Sequence, residues 1–148
     1  MIKKAVVFIF IDIENKRVFL ENRLEDQYLS SFKLFPGGKV EENEEKDLTM
    51  TLKREIEEEF GITKFKYLDL HKRIKGVNGF WLYPYIIYNW SGILPVKSLD
   101  KGNCLEWIAI DEFRPTLTPV KKMKALVKKF LASHNLIDRL PYLVITLS

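Results

Sequence analysis

Residues 54–62 read Arg-Glu-Ile-Glu-Glu-Glu-Phe-Gly-Ile, and this stretch decides the interpretation of the whole chain. It overlaps a predicted helix, Asp47–Phe60, for which Asp47 or the earlier Asn43 supplies the N-terminal cap and Gly61 the C-terminal stop. At about 100° per residue the apolar side chains of this helix share one arc, which we expect to face the core. These residues are Leu48, Leu52, Ile56 and Phe60.

Three glutamates of this helix lie at or beside its inward face. Glu59 projects into the inward sector, Glu55 lies beside it, and Glu58 flanks them on the same side. Clustered carboxylates repel one another and burial makes the repulsion worse, so the arrangement favours a divalent cation. Mg²⁺ takes oxygen ligands and often bridges carboxylates to phosphates. On spacing alone, a surface helix with solvated glutamates and an Arg54–Glu58 ion pair explains the pattern equally well.

A glycine pair after Phe35-Pro36 is the second candidate element of a site. Gly37 and Gly38 predict a sharp break, where the backbone turns tightly and approaches a ligand closely. A main-chain carbonyl from this turn is a candidate metal ligand. By itself, however, a Pro-Gly-Gly sequence usually marks only a turn.

The remaining chain predicts an α+β fold made of one domain, residues 1–148, without repeats or linkers. Runs rich in aliphatic and aromatic residues predict strands at Lys4–Asp12, Arg17–Asn22, Phe65–Arg73, Gly79–Trp90 and Leu105–Ile110. Pro84 indicates an edge position or a bulge for the fourth of these.

A second helix is predicted at Val120–Ser133, with one apolar side. Strands separated by two helices predict a mixed β-sheet sandwiched between helices (α/β/α). The apolar tail, Leu140–Leu147, is a last strand or a docking arm. Five lysines of the second helix form either its solvated face, which we favour, or an RNA-binding surface; they are Lys121, Lys122, Lys124, Lys128 and Lys129.

Composition narrows the class of protein. The chain of 148 residues carries a formal charge of +4, which is too modest to imply nucleic acid. A single cysteine, Cys104, excludes an internal disulfide and favours a reducing compartment. The apolar run of residues 5–11 is short and is followed at once by acidic residues, so we expect a strand and a soluble cytoplasmic protein rather than a signal peptide.

Together these residues resemble the Nudix box: glycine, five residues, glutamate, seven residues, then Arg-Glu-U-x-Glu-Glu-x-Gly-U, with U a bulky aliphatic. Residues 54–62 match every fixed position, and Gly38 and Glu44 match the first half. Nine residues instead of seven separate Glu44 from Arg54. We expect the loop of residues 40–46 to absorb the extra two, and we leave Glu44 without an assigned role.

The resemblance extends beyond the box, from about Val6 to Phe130, and the tail after Leu136 has no recognised counterpart. Segments similar to the MutT-like branch are Leu34–Val40, Trp90–Gly92, Glu106–Ile108 and Asp111–Phe113.

The resemblance implies a Nudix fold and hydrolysis of a nucleoside diphosphate linked to another group. By motif match, Glu55, Glu58 and Glu59 are the expected metal ligands, one of them acting as base, and Arg54 orients them. Gly38, or the carbonyl of Gly37, is expected at the metal. The implied cofactor is Mg²⁺, with Mn²⁺ as the alternative, and clustered carboxylates with metal suit cleavage of a phosphoanhydride.

Further substrate contacts follow from the same match. Arg23, Gly37 and Lys39 are expected to contact the substrate, and Asp100 or Glu106 is the candidate for an additional acid from the late loop. Four aromatic residues offer either a stacking face for a base or, more commonly, part of the core; they are Phe32, Phe80, Trp81 and Tyr83.

The leading hypothesis is a MutT-like nucleoside triphosphate pyrophosphohydrolase that gives NMP and pyrophosphate. We expect a small nucleotide as its partner, rather than a membrane or a nucleic acid. The proline that marks ADP-ribose hydrolases is missing from Lys75–Asn78, and the extended motif of the NADH branch is absent. The alternatives are another Nudix substrate, such as a dinucleoside polyphosphate or an RNA 5′ end, or a non-catalytic Nudix-fold nucleotide-binding module.

Overall fold

The computed structural model describes the backbone of residues 2–147 and the side chains of residues 2–134. A short 3₁₀ turn, Glu42–Glu44, precedes the first helix. The elements in chain order are β1 Lys4–Asp12, β2 Arg17–Asn22, β3 Lys33–Leu34, β4 Gly37–Lys39, α1 Leu48–Phe60, β5 Phe65–Asp69, β6 Ile74–Lys75, β7 Trp81–Trp90, β8 Cys104–Ala109 and α2 Thr118–Leu147.

Strand β1 organises the sheet. It pairs in parallel with β7 and antiparallel with β2 and β4. Strands β5 and β6 pair antiparallel with β7, whereas β3 and β8 pair antiparallel with β2. The parallel pair among antiparallel ones confirms the predicted mixed sheet.

The two faces of β1 support the two helices, because successive side chains of a strand point to opposite faces. Residues Val6, Phe8 and Phe10 pack in one core cluster with the apolar face of α1. Their neighbours Val7, Ile9 and Ile11 pack in a second cluster with α2. The helices therefore lie on opposite faces of the sheet, as the α/β/α prediction required.

Helix α1 has the termini and the inward face that its sequence predicts. Oδ1 of Asp47 accepts a hydrogen bond from the Thr49 backbone N–H at 3.1 Å. Gly61 ends the helix with φ of 69°, in the left-handed region that favours glycine. The Phe60 ring lies 5.5 Å from Phe8 and 5.2 Å from Phe10, edge to face, so the last turn is anchored in the core.

Two strand predictions need correction. The strand predicted at Phe65–Arg73 ends at Asp69, whose Oδ1 accepts a hydrogen bond from the His71 N–H at 2.8 Å, and His71 has φ of 52°. Pro84 does not lie on an edge, because β7 is paired on both sides. It lies opposite the gap between the β5 pairing, which stops at Tyr85, and the β6 pairing, which starts at Leu82.

Helix α2 is longer than predicted and includes Leu140–Leu147, so the last-strand alternative for the tail is wrong. The docking-arm alternative concerns side chains outside the described residues. The lysines of its first four turns are exposed, except for a half-buried Lys124, which agrees with a solvated face. Within the described part of the chain, no helix has the length and apolar character needed to cross a bilayer.

Candidate active site

Arg54 is the cation around which the carboxylates of Glu44, Glu55 and Glu58 are arranged. Its Nε and Nη2 donate to the two carboxylate oxygens of Glu44 at 2.8 and 2.9 Å. Its Nη1 donates to Glu55 at 2.9 Å and to Glu58 at 3.2 Å. Its Nη2 also donates to the Lys39 carbonyl at 3.1 Å. One guanidinium thus ties α1 to the 3₁₀ turn and to β4.

Glu44 has a structural role that the sequence did not reveal. It is buried, and its Oε1 also accepts hydrogen bonds from the Thr51 hydroxyl at 2.8 Å and the Glu41 N–H at 3.1 Å. The hydrogen bonds from Arg54 lower the pKa of Glu44 to about 2. Although nine residues separate the two, the 3₁₀ turn brings Glu44 to Arg54.

The glycine pair permits close approach of three chain segments rather than a turn. Gly37 and Gly38 belong to β4, opposite Val7 and Val6 of β1, so the predicted sharp break is wrong. A Cβ at Gly37 would lie 2.4 Å from the Val6 carbonyl oxygen. A Cβ at Gly38 would lie 2.0 Å from Cδ of Glu55, so the missing side chain is what lets this carboxylate lie against the strand.

Glu55 and Glu59 are buried carboxylates, whereas Glu58 is exposed. Burial raises the pKa of Glu55, opposed by Arg54, and burial raises the pKa of Glu59, opposed by the Lys101 ammonium. Oε1 of Glu59 lies 3.3 Å from Nζ of Lys101, yet it has no partner in hydrogen-bond geometry among the described residues. The ammonium offsets the charge of this buried oxygen but makes no hydrogen bond to it, so the oxygen remains available to a cation that binds it directly.

The fit of this site to a divalent cation rests on its oxygen donors and on that orphaned oxygen. Among side chains 2–134, no three His, Cys, Asp or Glu residues form a ready-made metal cluster. The reason is visible in the contacts, since Arg54 binds Glu55 and Glu58 while Lys101 faces Glu59. The residues fit a cation that replaces part of this internal pairing, with the main chain of Gly37–Gly38 beside Glu55.

A cavity of about 690 Å³ opens over Glu55 and the glycine pair. Three cations line it, Arg23, Lys39 and Lys101. Its apolar lining residues include Phe35, Leu82, Leu117, Pro119, Val120 and Met123. A cavity lined by both cations and apolar side chains suits a ligand with an anionic part and a flat apolar part.

The two predicted basic contacts are held in place at the cavity. Arg23 donates from Nε to Glu21 at 3.0 Å and from Nη1 to the Tyr28 carbonyl at 3.0 Å. The Lys39 ammonium lies 5.6 Å from the centre of the Phe80 ring. Both side chains are therefore positioned before a ligand arrives.

Other predicted contacts lie elsewhere. Glu106 is on β8 and pairs with Lys33, whose hydrogen bond lowers the Glu106 pKa, and it does not line the cavity. Asp100 is exposed and also outside the lining, although its charge helps to raise the pKa of Glu59. An additional acid from Asp100 or Glu106 therefore stays a prediction.

Of the four aromatic residues considered for stacking, only Phe80 lines the cavity. The Arg73 guanidinium covers Trp81 at 4.2 Å, and Tyr83 and Phe32 pack against the core. Sequence reasoning did not single out Lys101, because nothing distinguishes one exposed loop lysine from its neighbours before the loop is folded.

The site and the fold match known proteins. The family model described as NUDIX domain matches residues 1–131. An 8-oxo-dGTP diphosphatase from Buchnera aphidicola subsp. Schizaphis graminum is 32% identical over 118 residues, covering 76% of this chain and 82% of the relative. The Escherichia coli K12 8-oxo-dGTP diphosphatase is 29% identical over 126 residues and is covered to 90% of its length.

A solved structure from work on MutT of Aliivibrio salmonicida and Vibrio cholerae has the same fold. Its TM-score is 0.67 at 21% identity, with 90% of this chain and 99% of that chain covered. The chain belongs to the Nudix family. It is an enzyme of the MutT-like type, a divalent-metal-dependent nucleotide pyrophosphohydrolase acting on phosphoanhydride bonds.

Proposed function

We propose that this enzyme hydrolyses nucleoside triphosphates to NMP and pyrophosphate with Mg²⁺, and that 8-oxo-dGTP is among its substrates. The observation that carries the proposal is the cavity whose lining combines Glu55 and the glycine pair with three cations and several apolar side chains. The two relatives named 8-oxo-dGTP diphosphatase support the choice of base. A cytoplasmic location stays a prediction, which rests on the single cysteine.

The carboxylates supply the metal ligands in this proposal. Glu55 and Glu59 are the buried pair, and Glu58 lies at the solvent side within reach of Arg54. When bound, the divalent cation neutralises the phosphate oxygens and activates the attacking water. Mg²⁺ suits an all-oxygen donor set, and Mn²⁺ accepts the same donors.

The chain itself performs orientation and charge compensation. Arg54 fixes the rotamers of Glu55 and Glu58 through its Nη1. Arg23 and Lys39, both in the lining of the cavity, offer positive charge to the phosphates. A carboxylate whose pKa burial has raised is suited to accept a proton from water, and Glu55 and Glu59 both have this property.

The lining of the cavity offers few uncharged polar side chains for base recognition. Phe80 provides a ring, and Asn78 and Gln27 are the side-chain amides in the lining. The Asn78 Oδ1 accepts a hydrogen bond from the Phe80 N–H at 3.4 Å. This hydrogen bond fixes the orientation of the Asn78 side-chain amide. An amide donor suits a purine carbonyl or ring nitrogen acceptor.

The test is a panel of canonical and 8-oxo nucleoside triphosphates, assayed for pyrophosphate release with Mg²⁺ and with Mn²⁺. Glu58→Gln and Glu59→Gln should each lower kcat by orders of magnitude while the fold survives. Glu57→Gln is the matched control, because Glu57 is exposed and has no part in the Arg54 network. Unchanged rates in both active-site variants would refute the metal-site assignment.

A further inference from the structure

Lys101 faces the one buried carboxylate oxygen that lacks a hydrogen-bond partner in the described part of the chain. Its Nζ lies 3.3 Å from Oε1 of Glu59. Glu59 is 1% exposed, whereas the Lys101 side chain is 45% exposed. The contact therefore joins a fixed anion to a lysine that retains room to move.

The loop that carries Lys101 is built onto the catalytic helix. The Leu99 N–H donates to the Glu59 carbonyl at 2.8 Å. The Ser98 N–H donates to the Asn103 carbonyl at 2.8 Å, and the Gly102 N–H donates to Ser98 at 2.9 Å, which closes a tight turn around Lys101. The backbone at Lys101 is thus held against α1, and only its four-carbon stem is free to reorient.

The base of this loop is locked by a buried amide. Asn103 is fully buried, and its Oδ1 accepts a hydrogen bond from the Leu24 N–H at 3.3 Å. Its N–H donates to the Ser98 hydroxyl at 3.0 Å. Because Leu24 follows Arg23, Asn103 links the segment that carries Arg23 to the loop that carries Lys101.

We propose that Lys101 is a substrate-binding residue with two alternative partners. Before a divalent cation binds, its ammonium neutralises Glu59; when the cation takes Glu59, the ammonium moves to an anionic phosphate of the substrate in the same cavity. The inference rests on the proposed function, because it requires Glu59 to be a metal ligand.

Charge repulsion is the reason that the two partners alternate. An ammonium and a divalent cation on the same carboxylate oxygen would lie within a few ångströms of each other and repel strongly in a half-buried site. Lysine suits the exchange because its charge sits on a long flexible stem. Lys101 lines the cavity together with Glu55 and Gly38, and it also contacts Glu59. A phosphate bound in the cavity and Glu59 would therefore both lie close to Lys101.

The exchange couples metal binding to substrate binding. A substrate that takes the ammonium leaves Glu59 available to the metal, and a metal on Glu59 releases the ammonium to the substrate. Each ligand should therefore raise the affinity for the other. Loss of the ammonium should remove this part of the coupling and leave the metal site permanently available.

The experiment measures Mn²⁺ binding without turnover, from the electron paramagnetic resonance signal of free Mn²⁺. Lys101→Met should bind Mn²⁺ about tenfold more tightly than wild type when no nucleotide is present. Lys101→Arg should resemble wild type, because it keeps the charge. The matched control is Lys97→Met, which removes a lysine from the same loop outside the cavity and should change the affinity less than twofold.

A second arm adds a non-hydrolysable nucleoside triphosphate. It should tighten Mn²⁺ binding in wild type and do so several-fold less in Lys101→Met, and steady-state assays should show a raised KM in that variant. Equal or weaker Mn²⁺ binding by Lys101→Met without nucleotide would overturn the inference and leave the proposed function standing. Absence of Mn²⁺ binding by wild type would overturn both. If Lys101→Met is poorly folded, Lys101→Gln serves the same comparison.

Discussion

Glu44 and Arg54 are ten residues apart in sequence and joined by two hydrogen bonds of 2.8 and 2.9 Å, one to each carboxylate oxygen. This bidentate pair holds the segment before α1 on the face of the helix that carries the other carboxylates. The same guanidinium reaches Glu55 and Glu58, so the geometry of the site depends on a residue outside it.

Replacing Glu44 with glutamine should destabilise the protein and lower its turnover rate. We expect a loss of about 2 kcal/mol in the free energy of unfolding at pH 7, because a charge-assisted pair is lost, and a fall of about tenfold in kcat as Arg54 reorients. Urea unfolding and steady-state kinetics measure the two effects. Glu42→Gln, in the same turn but exposed, should change neither.

The acid side of the stability curve follows from the same pair. The folded-state pKa of Glu44 is about 2, below its ordinary value of 4.5. Its contribution is therefore complete above about pH 4.5 and is lost as the pH falls toward 2. The difference in unfolding free energy between wild type and Glu44→Gln should shrink between pH 5 and pH 3. A constant difference over that range would show that the pair contributes through packing instead.

Glu59→Gln should stabilise the metal-free protein while abolishing activity. Burial raises the pKa of Glu59, so the folded state is weakened as the pH rises from the ordinary value through the raised one. A neutral amide removes that penalty. Thermal unfolding in EDTA at pH 8 should give a higher Tm for Glu59→Gln than for wild type, with Glu57→Gln unchanged as control. A lower Tm would mean that the ion pair with Lys101 outweighs the burial penalty.

Gly37→Ala and Gly38→Ala should have different effects, the first mainly on stability and the second mainly on activity. Gly37→Ala places a methyl group against the Val6 backbone carbonyl, which cannot yield, so a loss of about 3 kcal/mol is expected. Gly38→Ala instead meets the Glu55 side chain, which can move. That variant should remain folded and lose most of its activity. Equal stability losses, measured by urea unfolding, would contradict this assignment.

Phe80→Leu should raise KM for nucleoside triphosphates with little change in kcat. Its ring is the one among the four aromatic candidates that lines the cavity, and it carries no group that could bind a metal or transfer a proton. Trp81→Leu is the neighbouring control, since Trp81 packs under Arg73 outside the lining. Equal KM values for the two variants would remove Phe80 from substrate binding.

Short-range patterns predicted much of this molecule. The amphipathic period of α1, its Asp47 cap and its Gly61 stop are local features, and each is present in the structure. The first two strands have the predicted bounds because they alternate between two buried faces. The family motif, a local pattern as well, led to the correct class of enzyme.

The features missed from the sequence depend on contacts distant along the chain. Glu44 was discounted because its spacing to Arg54 is irregular, and only the folded 3₁₀ turn restores the contact. Gly37 and Gly38 predict a turn because glycine gives the same local signal whether the chain turns or another segment approaches. Pro84 predicts an edge or a bulge, whereas it lies opposite the gap between β5 and β6, which strand pairing sets and neighbours in sequence do not reveal.

The alternation along β1 divides its mutational effects between the two sides of the sheet. Val6 belongs to the cluster under α1, and Val7 to the cluster under α2, which also supplies Val120 and Met123 to the lining of the cavity. Substitutions at adjacent positions of β1 should therefore affect different faces of the sheet. A laboratory selection for new substrates should collect changes on the α2 side and leave the positions beneath α1 untouched.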